Sequence, residues 1–317
     1  MIYLITGGTG FIGSYVARRL LAEGHQVIAF DYLPAGTSVE QVLTPDELAR
    51  IRIIPGDVTD LAHLQLVCQE ERVERIIHLA YLLQSESDAN PLLAVKVNCE
   101  GTTNALEVAR QLGIPRVVWA SSVTVFGRAA DYPYEFLPND APHHPLSVYG
   151  ACKSLNEFLA RHYFKRYGVD SIGLRFSLVY GVGRMRGGGQ FATELINKPA
   201  LGEKGVVAMG DDLIDWLYVD DAARCVVLAS QSPQTKSRAF TMRGDLRSVR
   251  EVADYVRRLI PGSDITLLPG TMGFTWKYDT TQLEQELGFH PQWSMEAGVG
   301  ETVNILRRKA GLPIVGD

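Results

Sequence analysis

Short apolar runs alternate with amphipathic segments through the first half of the chain. The runs are four to six residues long and lack a polar face, as expected for strands that are buried on both sides. The segments between them carry apolar residues at helical spacing, and several end at a glycine, as at Gly24, Gly113 and Gly168. Strands are predicted at residues 2–5, 26–30, 51–54, 75–79, 116–120 and 171–176, and helices at residues 11–23, 61–70, 92–112 and 149–167.

This order of elements predicts an α/β fold with a doubly wound parallel (Rossmann) sheet, because strand–helix–strand units close with right-handed crossovers. In the second half the pattern loosens, and helices are predicted at residues 246–260 and 280–287. We therefore expect residues 1–177 to form the Rossmann domain and residues 178–317 to form a smaller, partly interleaved substrate-binding lobe. Residues 238–243 are a candidate strand that returns to the main sheet.

Composition narrows the functional classes. Apolar residues make up 46% of the 317-residue chain, and the net charge of −5 without a Lys/Arg run argues against a nucleic-acid-binding surface. The four cysteines form no C-x-x-C pair, so we expect buried thiols in a reducing compartment and no metal site. No apolar run reaches the roughly 18 residues of a membrane span and no leader is visible, which predicts a cytoplasmic protein without membrane contact.

Three glycines follow the first predicted strand and open the first predicted helix. Gly7, Gly10 and Gly13 form a G-x-x-G-x-x-G motif, which permits a tight turn and a close approach of the backbone to a pyrophosphate. The N–H groups of Phe11 and Ile12 then point at the phosphates from the helix N-terminus. The place of the motif between strand and helix favours a dinucleotide site over a simple turn.

Acidic residues at later strand ends refine the choice of dinucleotide. Asp31 ends the second strand, where a carboxylate binds ribose hydroxyls and repels a 2′-phosphate, so NAD is predicted rather than NADP. The alternative is that Asp31 only starts a turn. Asp57 follows the third strand and is a candidate acceptor for the adenine amino group. Alternatively Thr59 or Asp60 caps the next helix, and the two roles are compatible.

A tyrosine and a lysine one helical turn apart are candidates for proton transfer. Tyr149 and Lys153 form Y-x-x-x-K, so their side chains share one face of a helix. A nearby ammonium lowers the pKa of a phenol from its usual value of about 10 towards the range of acid–base catalysis. Ser122 follows the fifth strand, and ligands of doubly wound sheets lie beyond the strand carboxyl ends. The three side chains therefore favour a hydride-transfer site over an incidental surface pair.

Together these residues resemble the extended short-chain dehydrogenase/reductase family, the NAD-dependent epimerase/dehydratases, over nearly the whole chain. The order of the motifs along the chain makes an accidental match implausible. The matching positions are residues 7–13, 57–58, 78–80, 98, 101–102, 121–127, 149, 153, 174–175, 179–181, 218–221 and 287–289.

The resemblance implies a catalytic triad of Ser122, Tyr149 and Lys153. It also implies a homodimer packed through the helices around residues 98–112 and 149–167. His78 is interpreted as a core residue, and Asn98 either contacts the cofactor or pins the long helix. The implied NAD-binding residues are Gly7, Gly10, Phe11, Ile12, Gly13, Asp31, Asp57, Val58, Leu79, Ala80, Tyr81, Asn98, Tyr149 and Lys153.

Several positions depart from the family pattern. Val123 and Thr124 stand where the 4,6-dehydratase branch has an Asp–Glu pair, so dehydration is not expected. Leu178 stands where many nucleotide-sugar enzymes have asparagine, and Ile214 where many have a phosphate-binding arginine. The substrate therefore either carries no nucleotide or is held by other residues. Candidate substrate contacts are Ser122, Ser177 and Arg184, and further cations that could compensate are Arg186 and Lys277.

Two surface features have alternative interpretations. Arg184 and Arg186 lie in a glycine-rich loop at residues 181–189, and this loop is either a solvated connection or part of the substrate site. His143 and His144 precede the catalytic tyrosine and are interpreted as residues at the rim of the cleft, because no third metal ligand accompanies them.

The residues favour an NAD-dependent epimerase or dehydrogenase that acts on a carbinol of a sugar or sugar-like small molecule. In this hypothesis Tyr149 removes the hydroxyl proton while Ser122 holds the oxygen. One alternative is a nucleotide-sugar 4-epimerase in the strict sense. Another is a dinucleotide-binding protein that retained the fold without catalysis, and the intact triad argues against it.

Overall fold

The strands follow the predicted order along the chain. The computed structural model describes residues 1–187, 190–271 and 277–316. The strands are β1 (Ile2–Thr6), β2 (Gln26–Asp31), β3 (Ile51–Pro55), β4 (Arg75–His78), β5 (Val117–Ser122), β6 (Ser171–Phe176), β7 (Leu178–Tyr180), β8 (Gly205–Val207), β9 (Leu213–Tyr218), β10 (Ala239–Thr241), β11 (Asp245–Ser248) and β12 (Ile265–Leu267).

Helices connect these strands. The α-helices are α1 (Phe11–Ala22), α2 (Val39–Val42), α3 (Pro45–Ala49), α4 (Leu61–Glu70), α5 (Gln84–Ala89), α6 (Pro91–Ala94), α7 (Gly101–Leu112), α8 (Val148–Tyr167), α9 (Gln190–Ala192), α10 (Lys198–Ala200), α11 (Val219–Gln231), α12 (Val249–Leu259), α13 (Thr281–Leu287) and α14 (Met295–Lys309). A π-helical segment, Val95–Glu100, joins α6 to α7, so the long helix predicted at residues 92–112 is interrupted once.

The described residues form a seven-stranded central sheet in the order β10-β6-β5-β4-β1-β2-β3. All of its strand pairs are parallel. Adjacent residues of β1 pack on opposite faces: Ile5 belongs to one apolar core and Leu4 to the other, and neither is exposed. Apolar residues on both faces are what a doubly wound sheet requires. The predicted α/β Rossmann fold class is confirmed.

The second half of the chain adds two smaller sheets. Strands β11, β9 and β7 form one of them, and β12 pairs with β8 in the other. Strand β10 lies at the outer edge of the central sheet beside β6. The division into residues 1–177 and 178–317 remains a prediction.

One predicted helix begins too early. Residues 246–248 are predicted as helical, but they lie in β11, which pairs antiparallel with β9. The helix α12 starts one residue after Ser248, which accepts a hydrogen bond from the Glu251 N–H while the Glu251 carboxylate accepts one from the Ser248 N–H. This capping box fixes the start of the helix and leaves the preceding residues extended.

The parallel order places the polar ends of several strands along one edge of the sheet. Ser122 at the end of β5 is in register with Phe176 at the end of β6, and Thr6 at the end of β1 is in register with His78. The loops after these strands therefore meet in one crevice. Among the described helices, none is long and apolar enough to cross a membrane.

Candidate active site

The glycine turn is built so that side chains would not fit. Gly7 has a φ of +69°, and a Cβ there would lie 2.8 Å from the Ala80 nitrogen. A Cβ at Gly13 would lie 2.3 Å from the Gly7 carbonyl oxygen. Gly10 is the N-cap of α1 and brings no side chain to accept the first helical N–H groups. These residues fit a dinucleotide, because the compact turn leaves the N–H groups of the helix start for a pyrophosphate.

Asp31 and Asp57 both take part in local turns. The Asp31 carboxylate accepts hydrogen bonds from the N–H groups of Thr9 (3.1 Å) and Leu33 (3.2 Å), so it braces the glycine turn. The Asp57 carboxylate accepts from the N–H and the hydroxyl of Thr59, both at 2.9 Å. Asp60, rather than Thr59, caps α4 through the N–H of residue 63 at 3.0 Å. Direct contacts of Asp31 and Asp57 with the cofactor remain predictions.

The segment after β4 passes beside the glycine turn. The N–H of Leu79 donates to the Thr6 carbonyl at 2.9 Å, and Ala80 lies against Gly7. Val58 is buried against Gly101, where a Cβ would come within 2.7 Å of it. Leu79 and Ala80 therefore run beside the glycine turn, and their contact with the cofactor, like that of Val58, remains a prediction.

Asn98 pins the loop that follows this segment. Its amide oxygen accepts from the Leu82 N–H at 2.8 Å, and its amide nitrogen donates to the Leu82 carbonyl (3.2 Å) and to the Ser87 hydroxyl (3.1 Å). It therefore fixes the loop beside Tyr81, and direct contact with the cofactor remains a prediction. His78 is a core residue, 2% exposed and hydrogen bonded to Thr6, and burial lowers its pKa to about 3.

Tyr149, Lys153 and Ser122 lie close together at the end of β5. The Lys153 ammonium is 5.3 Å from the centre of the Tyr149 ring and 4.2 Å from the centre of the Tyr81 ring. It donates a hydrogen bond of 2.7 Å to the Ala120 carbonyl. Tyr149 and Ser122 are each 7% exposed, and Lys153 is 1% exposed. The triad is therefore shielded from bulk water, which strengthens its internal electrostatics.

A threonine unforeseen from the sequence orients the serine. The Thr124 N–H and hydroxyl both donate to the Ser122 hydroxyl oxygen, at 3.2 and 3.0 Å. Both bonds leave the Ser122 proton free to be donated.

Burial controls the proton affinities of the pair. Burial raises the pKa of Tyr149 well above its usual value, and the neighbouring Tyr81 raises it further, whereas the Ser122 hydroxyl lowers it. Burial also lowers the pKa of Lys153 to about 7. The site thus holds a neutral phenol beside an ammonium that loses its proton easily. Any further positive charge placed in the crevice favours the phenolate form.

Replacing Lys153 with methionine is expected to raise the free energy of unfolding at neutral pH by about 1–3 kcal/mol, because a buried charge is removed. The folded pKa of about 7 lies below the unfolded value of about 10.4. The unfolded chain therefore binds more protons between these values, and wild-type stability rises with pH across that window. The stability gained by the Lys153→Met substitution is therefore largest below pH 7 and decreases as the pH approaches 10.

Urea unfolding of both proteins across this pH range measures the effect. Lys165→Met on the same helix is the matched control, because Lys165 is exposed. A Lys153→Met protein that is less stable than wild type at pH 6 would contradict the cost assigned to the buried ammonium.

Three cations could replace the phosphate-binding arginine that Ile214 displaces, and of these Arg184 faces the triad. Its guanidinium lies 5.9 Å from the Phe11 ring. Burial raises the pKa of both Tyr81 and Tyr149, and the charge of Arg184 partly opposes this increase. It donates to the Val179 carbonyl. Its Nε is buried and has no hydrogen-bond partner among the described residues. The arrangement leaves a positive group directed at the crevice.

The other two cations point elsewhere. Arg186 is exposed and pairs with Glu86 at 3.3 Å, and Lys277 pairs with Glu135 at 3.3 Å. The loop at residues 181–189 therefore behaves as a solvated connection at Arg186 but not at Arg184. Residues 188 and 189 of the same loop lie outside the described residues.

Ser177 lies just beyond β6, next to the end of β5. Burial raises the pKa of Asp215 to about 7, although the Gly244 N–H, Arg243 and the Ser177 hydroxyl each act to lower it. Leu178 and Ile214 are buried, at 7% and 0% exposure, so Ile214 offers no surface to a ligand.

At the rim, His143 is half-buried, with its ring 5.8 Å from that of Phe126.

Comparisons with known proteins agree with this arrangement. The sequence profile of the NAD-dependent epimerase/dehydratase family matches residues 3–242. A UDP-glucose 4-epimerase from Mycolicibacterium smegmatis is 29% identical over 97% of this chain and 99% of its own length. The UDP-glucose 4-epimerase of Thermus thermophilus, solved in complex with NAD, superposes with a TM-score of 0.82 and 26% identity over 97% of this chain and 99% of that one. An L-threonine dehydrogenase from Clostridium difficile superposes with a TM-score of 0.84 and 25% identity over 97% and 98%.

The family profile covers most of the chain, from the first strand of the central sheet to β10. Members of this family depend on NAD, so the predicted cofactor is confirmed. The chain therefore belongs to the NAD-dependent epimerase/dehydratase family, and it is an NAD-dependent epimerase or dehydrogenase of the extended short-chain dehydrogenase/reductase type.

Proposed function

We propose that this enzyme oxidises or epimerises a carbinol of a sugar or sugar-like substrate through Ser122, Tyr149 and Lys153. The observation that carries the proposal is the convergence of these side chains. Tyr149 lies beside both the Lys153 ammonium and the Ser122 hydroxyl at the carboxyl end of the central sheet. That edge is where doubly wound folds bind their ligands.

Each member of the triad has a separate task. The Ser122 hydroxyl donates a hydrogen bond to the substrate oxygen, and Thr124 keeps it oriented. The Tyr149 phenolate accepts the hydroxyl proton of the substrate, and the Lys153 ammonium stabilises that phenolate. The glycine turn would hold NAD, which when bound would supply a hydride acceptor and a positively charged ring in the crevice. Return of the hydride to the opposite face of the ketone, together with return of the proton by Tyr149, would complete an epimerisation, whereas release of the ketone and of the reduced cofactor would complete a dehydrogenation.

The substrate contacts favour an anionic group near the reacting carbon. Arg184 is half-buried, and its buried Nε has no hydrogen-bond partner among the described residues, so its guanidinium can recognise a carboxylate or phosphate in the crevice. Ser177 is the neighbouring candidate contact. Ile214 replaces a phosphate-binding arginine of many nucleotide-sugar enzymes and is fully buried. These features support a small sugar-like substrate without a nucleotide.

A nucleotide-sugar 4-epimerase is the second candidate. It is favoured by the likeness to the UDP-glucose 4-epimerase of Mycolicibacterium smegmatis over nearly the full length of both chains. In this case Arg184 takes the place of the missing arginine and binds a diphosphate oxygen.

A substrate screen separates the two candidates. The purified enzyme is incubated with NAD and with free sugars, sugar acids or UDP-sugars, and both NADH absorbance and product stereochemistry are followed. We expect NADH to accumulate with a free sugar or sugar acid. Conversion of a UDP-sugar without net NADH would instead establish the 4-epimerase. If none of these compounds reacts while NAD still binds, the proposal of a sugar or sugar-like substrate is wrong.

We also propose that the enzyme is a homodimer. Large apolar side chains are exposed along α6, the π-helical segment and α8, including Leu92 (73%), Val95 (52%) and Phe158 (61%). Contiguous exposed apolar residues mark interaction surfaces. Helix α8 lies in the predicted dimer contacts, the π-helical segment overlaps the start of the other predicted contact at residues 98–112, and α6 directly precedes that segment. A second copy of the chain is the proposed occupant.

Replacing Phe158 with glutamate is expected to convert the dimer to a monomer, because two charges would be buried at an interface with two-fold symmetry. Size-exclusion chromatography with light scattering measures the mass. Leu66→Glu on α4 is the matched control, since Leu66 is similarly exposed, at 51%. A monomeric wild-type protein, or an unchanged dimer in the Phe158 variant, would contradict this interface.

A further inference from the structure

Helix α8 contacts the end of strand β5 through three successive helical turns. Tyr149 interacts with Ser122, and Lys153 donates to the Ala120 carbonyl at 2.7 Å. Residues four apart on a helix share a face, so the next member of this row is Glu157. Two of the three contacts between this face of α8 and β5 are thus made by triad residues, Tyr149 and Lys153.

Glu157 makes the third contact. Its carboxylate accepts a hydrogen bond of 2.7 Å from the Ser121 hydroxyl, between the strand residues used by the other two. Arg175 of β6 donates to both Glu157 oxygens, each at 2.7 Å. Arg175 also donates to the Asn139 carbonyl at 2.6 Å and to the Thr241 hydroxyl at 3.2 Å. One buried carboxylate therefore ties α8 to β5, to β6 and, through the arginine, to β10.

Burying these charges costs free energy, so the network contributes little net stability to the fold. The Glu157 side chain is fully buried and that of Arg175 is 4% exposed. Burial raises the pKa of Glu157, but the charge and hydrogen bonds of Arg175 lower it more, so the net pKa lies below the usual value. His143 (3.4 Å) and Arg161 (3.7 Å) are the other ionisable groups facing it. A buried ion pair gains little stability over apolar residues of the same volume, so a geometric role explains it better.

We propose that Glu157 is a positioning residue, which sets the register of α8 along β5 through Ser121 and Arg175 and thereby fixes Tyr149 against Ser122. The inference rests on the proposed role of Tyr149 as the proton acceptor. Loss of the Ser121 bond lets α8 shift relative to β5. Displacements of about 1 Å at a reaction centre cost on the order of 100-fold in rate.

A spectroscopic titration tests this without a known substrate. Tyrosinate absorbance of the NAD-loaded enzyme is followed against pH, and the phase that disappears in Tyr149→Phe is assigned to Tyr149. Ser121→Ala removes only the hydroxyl that reaches Glu157, whereas Glu157→Gln removes the charge. Ser230→Ala is the matched control, because the buried Ser230 hydroxyl donates a bond of the same length, 2.7 Å, to Val227 on the remote helix α11.

We expect both site variants to raise the pKa of Tyr149 by about half a unit or more, because a shift of α8 along β5 weakens the bond from Ser122, which lowers that pKa. The control should leave it unchanged. The other ionisable groups that act on Tyr149 are untouched by the substitutions; they are Tyr81, Arg184 and Cys152.

Each outcome decides a different claim. An unmoved Tyr149 phase in Ser121→Ala overturns the positioning role alone, and this variant decides the matter if Glu157→Gln fails to fold. A wild-type enzyme with no Tyr149 phase overturns the proposed proton transfer and the positioning role with it. Once a substrate is known, Ser121→Ala should lower kcat about tenfold or more with KM nearly unchanged, and equal kcat in Ser121→Ala and Ser230→Ala would also overturn the inference.

Discussion

Replacing Tyr149 with phenylalanine is expected to lower kcat by about 1000-fold while NAD still binds. The substitution removes only the hydroxyl that exchanges a proton with the substrate, and general acid–base catalysis contributes about 100- to 10,000-fold. The ring remains in its buried place 6.0 Å from the Tyr81 ring, so the site should keep its shape. Turnover is measured with the substrate found in the screen, and NAD binding by calorimetry.

Tyr163→Phe is the matched control for this prediction. Tyr163 is on the same helix and donates to Glu107 at 3.2 Å, away from the triad. Its variant should keep wild-type kcat and NAD affinity. A Tyr149→Phe enzyme with more than about a tenth of the wild-type kcat would show that another group moves the proton.

The sheet and the glycine turn were predictable because their signals are local. Apolar runs report burial on both faces of a strand, and Gly7, Gly10 and Gly13 report a turn that side chains would obstruct. Tyr149 and Lys153 share a helix, so their proximity also follows from spacing alone. Ser122 needed one further rule, that the carboxyl ends of parallel strands meet at one edge.

Other parts of the site depend on contacts between distant segments. Arg184 and Arg186 look alike in a glycine-rich loop, and only tertiary contacts distinguish them: Arg184 is half-buried over the Phe11 ring, whereas Arg186 is exposed and pairs with Glu86. Glu157 has the i, i+4 spacing from Lys153 that could have revealed it. A lone acidic residue on a helix nevertheless usually lies on a solvated face, and its partner Arg175 is on another element.

The start of α12 was predicted too early for the same reason, namely that a contact with a distant segment decides the local structure. Residues 246–248 carry a helix-compatible sequence, but β9 offers them strand hydrogen bonds. Tertiary pairing overrides weak local propensity in such short segments. The capping pattern of Ser248 and Glu251 was the local signal for the true boundary.

Replacing Gly13 with alanine is expected to weaken NAD binding by on the order of 100-fold, about 2.7 kcal/mol, and to destabilise the fold by about 1–3 kcal/mol. The new Cβ would lie 2.3 Å from the Gly7 carbonyl oxygen and 2.9 Å from the Gly8 Cα, both of them backbone atoms that cannot move aside cheaply. The turn must therefore open, which moves the N–H groups at the start of α1 away from the pyrophosphate.

Gly300→Ala separates this steric effect from the general effect of removing a helical glycine. Gly300 lies within α14, and a Cβ there meets only the Tyr255 hydroxyl, at 3.7 Å, among the described residues. Since alanine favours a helix over glycine by about 1 kcal/mol, this variant should be as stable as wild type or more stable, with unchanged NAD affinity. Calorimetric titration with NAD and urea unfolding measure both quantities. If Gly13→Ala bound NAD as tightly as Gly300→Ala, the close packing of the turn would not be what holds the helix N-terminus in place for the cofactor.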